Sequence, residues 1–150
     1  MSLDFPDFEH DAYFPEKKAV ARLRKSDLLG RWTILYFYPR DGTPGCTREA
    51  LEFSESLPEI RRLGGEVVGV STQSPESHRK FAEKHGLKHV LMSDDGTLSR
   101  TLGILKESGT ALRSTFLVSP EGKIEAVWKN VRVPGHVKEV VERLKALRSG

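Results

Sequence analysis

The chain contains the run Thr33-Ile34-Leu35-Tyr36-Phe37-Tyr38, in which β-branched and aromatic residues follow one another without clear alternation. This pattern is typical of a strand that is buried on both faces. A second such run, Glu66-Val67-Val68-Gly69-Val70-Ser71, follows the glycine pair Gly64-Gly65. Between the two runs, the segment from about 46 to 63 carries apolar residues at helical spacing, namely Ala50, Phe53, Leu57 and Ile60. Strand, helix and strand in this order predict a right-handed parallel unit.

Prolines and glycines mark where the predicted helices begin, break and end. The first helix contains Pro58, which has no N–H to donate, so we expect a kink or a restart there, with Ser56 as a candidate cap. A second helix follows the second strand. Ser74 is its predicted cap, Pro75 takes its first helical position, and Gly86 ends it.

A hairpin and several short elements complete the predicted domain. Residues 114–118 and 123–128 read as strands on either side of Ser119-Pro120-Glu121-Gly122, which suits a tight turn. We expect this hairpin on the edge of an otherwise parallel sheet. The other elements are predicted as a short strand at 89–92, a turn and helix cap at Asp94-Asp95-Gly96, a short helix at 97–102 and a closing helix at about 135–147.

Residues 1–30 are predicted to form an N-terminal extension with short strands. Ala12–Phe14 and Ala19–Leu23 flank a candidate turn at Pro15–Lys18, and Ser26–Gly30 has the pattern of one helical turn. No repeat or linker divides the sequence, and its 150 residues suit one domain spanning 1–150. The whole pattern predicts a three-layer α/β domain with a mixed sheet, as in thioredoxin-like folds.

Charge and hydropathy argue against a nucleic-acid or membrane partner. Basic and acidic residues number 24 and 21, giving a net charge of only +3. The densest basic stretch, Lys17 to Lys25, reads better as a solvated face than as a phosphate-binding patch, because no aromatic residues or nucleic-acid motif accompany it. No apolar run approaches the roughly 18 residues that span a bilayer. The acidic start broken by Pro6 is unlike a secretory signal, so we expect a cytoplasmic protein.

Cys46 is the only cysteine, which rules out a disulfide within the chain. It opens a helix directly after a buried strand, where backbone N–H groups and the helix dipole favour a thiolate. The same N–H groups can stabilise an oxygen leaving group. Thr43 can place its hydroxyl beside the sulfur, and Pro39 and Pro44 stiffen the loop. The competing interpretation is a small buried hydrophobic residue without chemistry.

The spacing Pro39-x-x-x-Thr43-x-x-Cys46 resembles the active-site signature of the peroxiredoxins. Its setting, from Tyr36-Phe37-Tyr38-Pro39 to Thr43-Pro44-Gly45-Cys46-Thr47, is similar to the bacterioferritin-comigratory-protein (PrxQ) group. The likeness continues through residues 66–71 and Arg113-Ser114-Thr115-Phe116-Leu117-Val118, and it covers most of residues 28–130.

The resemblance implies a thiol-dependent peroxidase that needs no cofactor or metal. Cys46 would attack hydrogen peroxide or, as a further candidate class, organic hydroperoxides, and would become a sulfenic acid. Thr43 would hydrogen-bond the sulfur and the peroxide, Pro39 would shield the intermediate, and Arg113 would favour the thiolate and orient the peroxide. Glu49, one turn after Cys46, is where many peroxiredoxins have a glutamate that braces the arginine.

The sequence departs from many members of this group in having no second cysteine. Two positions where a resolving cysteine is common carry Leu51 and Ser99. We therefore expect a one-cysteine form, a monomer or small homo-oligomer, in which thioredoxin, glutaredoxin or a small thiol reduces the sulfenic acid. The main alternative is a peroxide sensor or interaction module with slow turnover. A thiol-disulfide oxidoreductase is disfavoured because Glu49 stands where a Cys-x-x-Cys pair would have its second cysteine.

A histidine cluster is the remaining candidate for a metal site. His78, His85 and His89 are close in sequence, but metal binding would need their side chains to converge. His78 and His85 are two turns apart on one predicted helix, so a polar helix face is the preferred interpretation. No dinucleotide or phosphate-binding fingerprint is present.

Overall fold

The computed structural model describes residues 3–149. Its centre is a set of parallel strands, β4 (Trp32–Phe37), β5 (Gly65–Ser71) and β6 (Val90–Ser93). Helix α1 (Pro44–Arg62) connects β4 to β5, and α2 (Pro75–His85) connects β5 to β6. The parallel strand–helix–strand unit predicted from the two apolar runs is therefore confirmed.

The C-terminal hairpin lies one short strand away from the edge of the sheet. Strand β7 (Ser114–Val118) pairs antiparallel with β4, and β8 (Lys123–Lys129) pairs with β7. The short strand β1 (Leu3–Asp4) then pairs with the start of β8. The expected edge position is therefore off only by β1, whose residues Leu3 and Asp4 pair with the start of β8. The predicted turn is formed, with Gly122 N donating to the Ser119 carbonyl at 2.9 Å.

The N-terminal strands extend the same sheet at its other end. Strands β2 (Glu9–Phe14) and β3 (Ala19–Arg24) form the predicted hairpin, and β2 also pairs antiparallel with β6 through Ala12 and Tyr13. The eight strands have the order β1-β8-β7-β4-β5-β6-β2-β3. The expectation of an otherwise parallel sheet was also wrong, because β2 joins the sheet as an antiparallel strand that buries Ala12 on one face and Tyr13 on the other.

Helix α1 runs from Pro44 to Arg62 through Pro58 without a restart, so Ser56 caps nothing. Residues on both sides of the proline, Phe53, Leu57 and Ile60, are buried in one core cluster. Their burial outweighs the hydrogen bond that Pro58 cannot donate. The predicted ends of α2 are confirmed, since Ser74 Oγ accepts from Ser77 N and Gly86 adopts a left-handed φ of 64°.

Alternating residues of β4 separate two cores. Ile34 and Tyr36 pack with α1, α2 and the closing helix α4 (His136–Ser149), whereas Leu35 and Phe37 pack on the opposite face. That face is covered by the short helix α3 (Thr97–Thr101), a 3₁₀ turn (Lys25–Leu28) and the N-terminal phenylalanines. These layers confirm the three-layer α/β fold. No helix among residues 3–149 is long and apolar enough to cross a membrane.

Candidate active site

Cys46 lies in the first turn of α1, two residues after the helix begins at Pro44. The backbone N–H groups of a first turn have no partner within the helix and point toward incoming negative charge. The Cys46 thiol is free, and the residue is only 1% exposed. The sulfur is therefore held in a water-poor site at the positive end of a helix.

The guanidinium of Arg113 lies directly beside the sulfur. Its Nη2 donates to Cys46 Sγ at 3.2 Å, and its Nη1 donates to Glu49 Oε1 at 2.7 Å. Arg113 immediately precedes β7. Because β7 pairs with β4, this residue, although distant in sequence, lies at the N-terminus of α1. The forked geometry of a guanidinium allows one side chain to bridge the thiol and the carboxylate.

Gly45 makes room for this arrangement. A Cβ atom added at Gly45 would lie 3.3 Å from Arg113 Nη2, closer than an ordinary van der Waals contact. A larger side chain would therefore push the guanidinium away from the sulfur. The folded protein thus shows why a residue without a side chain stands next to Cys46: the space is taken by Arg113.

Glu49 is completely buried one helical turn after Cys46. Burial, which outweighs the attraction of Arg113, raises the pKa of its carboxyl from 4.5 to about 7. Its second oxygen, Oε2, has no hydrogen bond and lies 4.0 Å from Nε2 of His136. Burial also lowers the pKa of His136 to about 4, so this ring is neutral at physiological pH. Arg113 is thus the cation of the cluster.

The loop from Pro39 to Thr43 joins β4 to α1 and carries the other two predicted site residues. The Thr43 hydroxyl donates to the Arg40 carbonyl at 3.1 Å, and the Thr43 carbonyl accepts from both Thr47 N and Thr47 Oγ1 at 2.8 Å. In this structure the Thr43 hydroxyl proton is therefore directed at the backbone and not at the sulfur. Pro39 is half-buried, and its carbonyl accepts from Gln73 Nε2 at 3.3 Å.

Of His78 and His85, which were expected on a polar helix face, only His85 fits this expectation. His78 and His89 are both fully buried, and only His85 is partly exposed. Their rings do not converge on a common point. His78 contacts Asp41, while His89 contacts the hydroxyls of Tyr36 and Ser54. Periodicity misplaced His78 because it occupies the inner face of α2, where a loop carboxylate compensates for its burial.

Asp94 performs the capping role predicted for it. Its carboxylate accepts from the backbone N–H groups of Gly96, Leu98 and Ser99 and from the Ser99 hydroxyl. His10 and Asp95 lie near enough to form a group with metal-ligand chemistry. The oxygens of Asp94 are already occupied by these donors, which accounts for its burial without an ion.

Sequence reasoning missed one constellation near the site. The carboxylate of Asp41 accepts from Tyr38 Oη at 2.6 Å and Ser77 Oγ at 2.8 Å, and it lies 2.7 Å from His78 Nδ1. An aspartate between two prolines in the loop was the available signal. Its partners on α2 lie more than thirty residues away in sequence, so only the tertiary structure identifies them.

Comparison with known proteins assigns this chain to a family. A family model described as the AhpC/TSA family matches residues 2–127. The chain belongs to this family. Peroxiredoxin Bcp of Xanthomonas campestris is 43% identical over 125 residues, covering 78% of each chain. Peroxiredoxin Bcp of Bacillus subtilis is 40% identical over 133 residues, covering 82% of this chain and 83% of its own.

Solved structures agree with the sequence relatives. Enterococcus faecalis AhpC has a TM-score of 0.89 at 33% identity, covering 99% of this chain and 92% of its own. Peroxiredoxin Q of Xanthomonas campestris has a TM-score of 0.86 at 36% identity, covering 94% and 91%. The peroxiredoxin resemblance, the thioredoxin-like fold and thiol peroxidase activity are therefore confirmed. The peroxide-sensing alternative is not favoured.

Proposed function

We propose that Cys46 is the peroxidatic residue and that it reduces hydrogen peroxide, with organic hydroperoxides as a second substrate class. The thiolate attacks the distal peroxide oxygen, the O–O bond breaks, and Cys46 becomes a sulfenic acid; the hydroxide or alkoxide that leaves takes a proton from solvent and becomes water or an alcohol. The observation that carries this proposal is the 3.2 Å hydrogen bond from Arg113 Nη2 to the sulfur of a buried cysteine at a helix start.

Arg113 has two roles in this proposal. Its positive charge favours the thiolate over the thiol, and its remaining N–H groups can hold a peroxide oxygen in line with the sulfur. Glu49 holds the guanidinium through Nη1, which leaves Nη2 directed at Cys46. Glu49 is accordingly a positioning residue.

Thr43 and Pro39 complete the proposed site. Thr43 would turn its hydroxyl from the Arg40 carbonyl toward bound peroxide, a rotation about one side-chain bond. Pro39 would exclude water and excess oxidant from the sulfenic acid, consistent with its half-buried position at the start of the loop. Neither residue needs a metal or an organic cofactor for these roles.

The second half of the cycle needs a thiol from outside the chain. The first thiol condenses with the sulfenic acid to a mixed disulfide and releases water, and a second thiol then releases reduced Cys46 and a new disulfide. Leu51 and Ser99 supply no sulfur, and Ser99 is buried against Asp94. Thioredoxin, glutaredoxin and small thiols are the candidate donors. We place this cycle in the cytoplasm, in a one-domain monomer or small homo-oligomer.

The test compares the wild-type protein with Cys46→Ser. Peroxide consumption in the presence of dithiothreitol should be lost in the variant, and a sulfenic-acid trap should label only the wild type. Full retention of thiol-dependent consumption by Cys46→Ser would disprove the proposal. Separate assays with thioredoxin plus its reductase, glutaredoxin and glutathione then identify the donor that sustains turnover.

A further inference from the structure

His78 has an unusual set of neighbours for a completely buried ring. Its Nδ1 lies 2.7 Å from Asp41 Oδ2, and its Nε2 lies 3.1 Å from the carbonyl oxygen of Met92. The ring also contacts the Tyr38 hydroxyl at 3.5 Å, but that hydroxyl is hydrogen-bonded to Asp41 Oδ1 at 2.6 Å. Both ring nitrogens therefore face hydrogen-bond acceptors, Nδ1 the carboxylate of Asp41 and Nε2 the carbonyl of Met92.

Counting protons decides the state of this ring. A neutral imidazole has one N–H donor and one bare nitrogen, whereas a carbonyl or carboxylate oxygen can only accept. With Asp41 ionised, a neutral His78 would leave one ring nitrogen facing an acceptor across a hydrogen-bond distance without a proton between them. We infer that His78 is a buried imidazolium, paired with the Asp41 carboxylate, and that this pair positions the catalytic loop for the reaction of Cys46.

The surroundings of Asp41 suit the charged form of the pair. Its side chain is only 6% exposed, yet it accepts from the hydroxyls of Tyr38 and Ser77 as well as from His78. Burial raises the pKa of this carboxyl, but the hydrogen bond and charge of His78, together with the hydroxyls, bring it below its ordinary value. A buried ion pair with every oxygen hydrogen-bonded is the arrangement in which charges persist inside a protein.

His89 provides a contrast within the same molecule. It is equally buried, but its ring nitrogens face hydroxyl oxygens, Tyr36 Oη at 2.6 Å and Ser54 Oγ at 2.7 Å. A hydroxyl can donate or accept, so a neutral ring satisfies both contacts. Burial lowers the pKa of His89 to about 3, in agreement with a neutral ring. Burial alone therefore does not determine the charge of a histidine in this fold; the partners do.

The pair ties the catalytic loop to the start of α2. The backbone N–H of Asp41 donates to Gln73 Oε1 at 2.8 Å, and Gln73 Nε2 donates to the Pro39 carbonyl at 3.3 Å. Together with His78 and Ser77, these bonds hold the segment that leads from Pro39 through Thr43 to Cys46. Displacement of a reacting group by about 1 Å can cost about a hundredfold in rate, so the anchoring of this loop affects the chemistry directly.

The charge of His78 is tested by nuclear magnetic resonance on the wild-type protein. Two-bond ¹H–¹⁵N correlation spectra of protein labelled at histidine report, through the ¹⁵N shifts, which ring nitrogens carry a proton. At neutral pH they should show two protonated ring nitrogens for His78 and one for His89. The side chains are assigned from Phe variants at positions 78 and 89. A single ring proton on His78, with a neutral tautomer, would overturn the inference.

The positioning role is tested by the rate constant for oxidation of Cys46 by hydrogen peroxide, measured by rapid mixing without any reductant. We expect His78→Phe to lower it by about 10- to 100-fold. The matched control is His89→Phe, which removes an equally buried ring and should stay within about twofold of wild type. The role is refuted if His78→Phe reacts at the wild-type rate, or if both variants are slowed equally.

A milder variant covers the case in which His78→Phe does not fold. Ser77→Ala removes one hydrogen bond to Asp41 and leaves the ring in place, and it should slow the oxidation several-fold; an unchanged rate would count against the role.

The positioning role rests on the proposed function, but the spectrum does not. If wild-type Cys46 is not oxidised by peroxide, the proposed function and the positioning role both fail, while the proton count still decides the charge of His78.

Discussion

The guanidinium of Arg113 donates one hydrogen bond to Cys46 Sγ and another to Glu49 Oε1. Hydrogen bonds to charged groups contribute about 1.5–3 kcal/mol, which corresponds to roughly 10- to 100-fold in rate. Arg113→Met should therefore slow the oxidation of Cys46 by about that factor. Arg113→Lys should recover part of the loss, because lysine keeps the charge but not the fork.

Single-turnover oxidation by hydrogen peroxide measures this effect. Arg48→Met is the control for net charge, because Arg48 is exposed on the same helix and pairs with Glu52. Equal rates for Arg113→Met and Arg48→Met would contradict the assigned role.

Glu49 should make stability depend on pH. Its pKa is 4.5 for an ordinary glutamate and about 7 in the folded protein. The folded state therefore binds more protons than the unfolded state in this range. The stabilisation is fully present below pH 4.5 and is lost as pH rises through about 7. Its full extent is about 3 kcal/mol.

Glu49→Gln should remove this dependence. Between pH 5 and pH 8, the free energy of unfolding of the wild type should fall by about 2–3 kcal/mol relative to the variant. Urea unfolding at both pH values measures the difference. Glu55→Gln, at an exposed position of the same helix, should change little. A wild type and Glu49→Gln with parallel pH profiles would rule out the buried titration.

Among single residues, those of the local Pro39–Cys46 motif could be predicted from the sequence, but the contacts made to this motif by residues distant in sequence could not. Cys46, Thr43 and Pro39 are adjacent in sequence and could be assigned from spacing and resemblance. Arg113 could be assigned from resemblance, but its distance to the sulfur depends on the pairing of β7 with β4. His78 could not be assigned at all, because periodicity does not show which loop will cover a helix face.

Among the elements, α1 carries a proline that its packing overrides. Pro58 is exposed and lies inside the helix, where a proline costs up to about 3 kcal/mol relative to alanine. Pro58→Ala should raise the free energy of unfolding by about 1–3 kcal/mol and leave the oxidation rate of Cys46 unchanged. Thermal or urea unfolding provides the measurement.

Pro75→Ala is the comparison variant for this prediction. Pro75 occupies the first position of α2, where a missing N–H costs nothing. Its replacement should change stability by less than about 1 kcal/mol, and toward lower values. If both substitutions have the same effect, the interior position of Pro58 is not the cause.

Because the chain has one cysteine, an oxidised Cys46 cannot form a disulfide within the protein. Without a reductant, the Cys46 sulfenic acid has no internal partner, and the thiol of another copy is only 1% exposed. Excess peroxide should therefore convert Cys46 to sulfinic and sulfonic acid. Peptide mass spectrometry over time should show these forms, and a small thiol present from the start should suppress them. Accumulation of a disulfide-linked dimer as the main product would contradict this prediction.

Local sequence patterns were enough to predict the central strands, the ends of α2 and the position of Cys46 at the start of a helix. These features depend on neighbouring residues: apolar runs, caps and a loop that leads into a helix. The folded structure was needed to show that β1 extends the sheet beyond the C-terminal hairpin, that α1 continues through Pro58, and that Arg113 contacts Cys46 while His78 contacts Asp41. Those outcomes depend on contacts between residues that are distant in sequence, and burial of the whole core outweighs the local preferences that sequence patterns record.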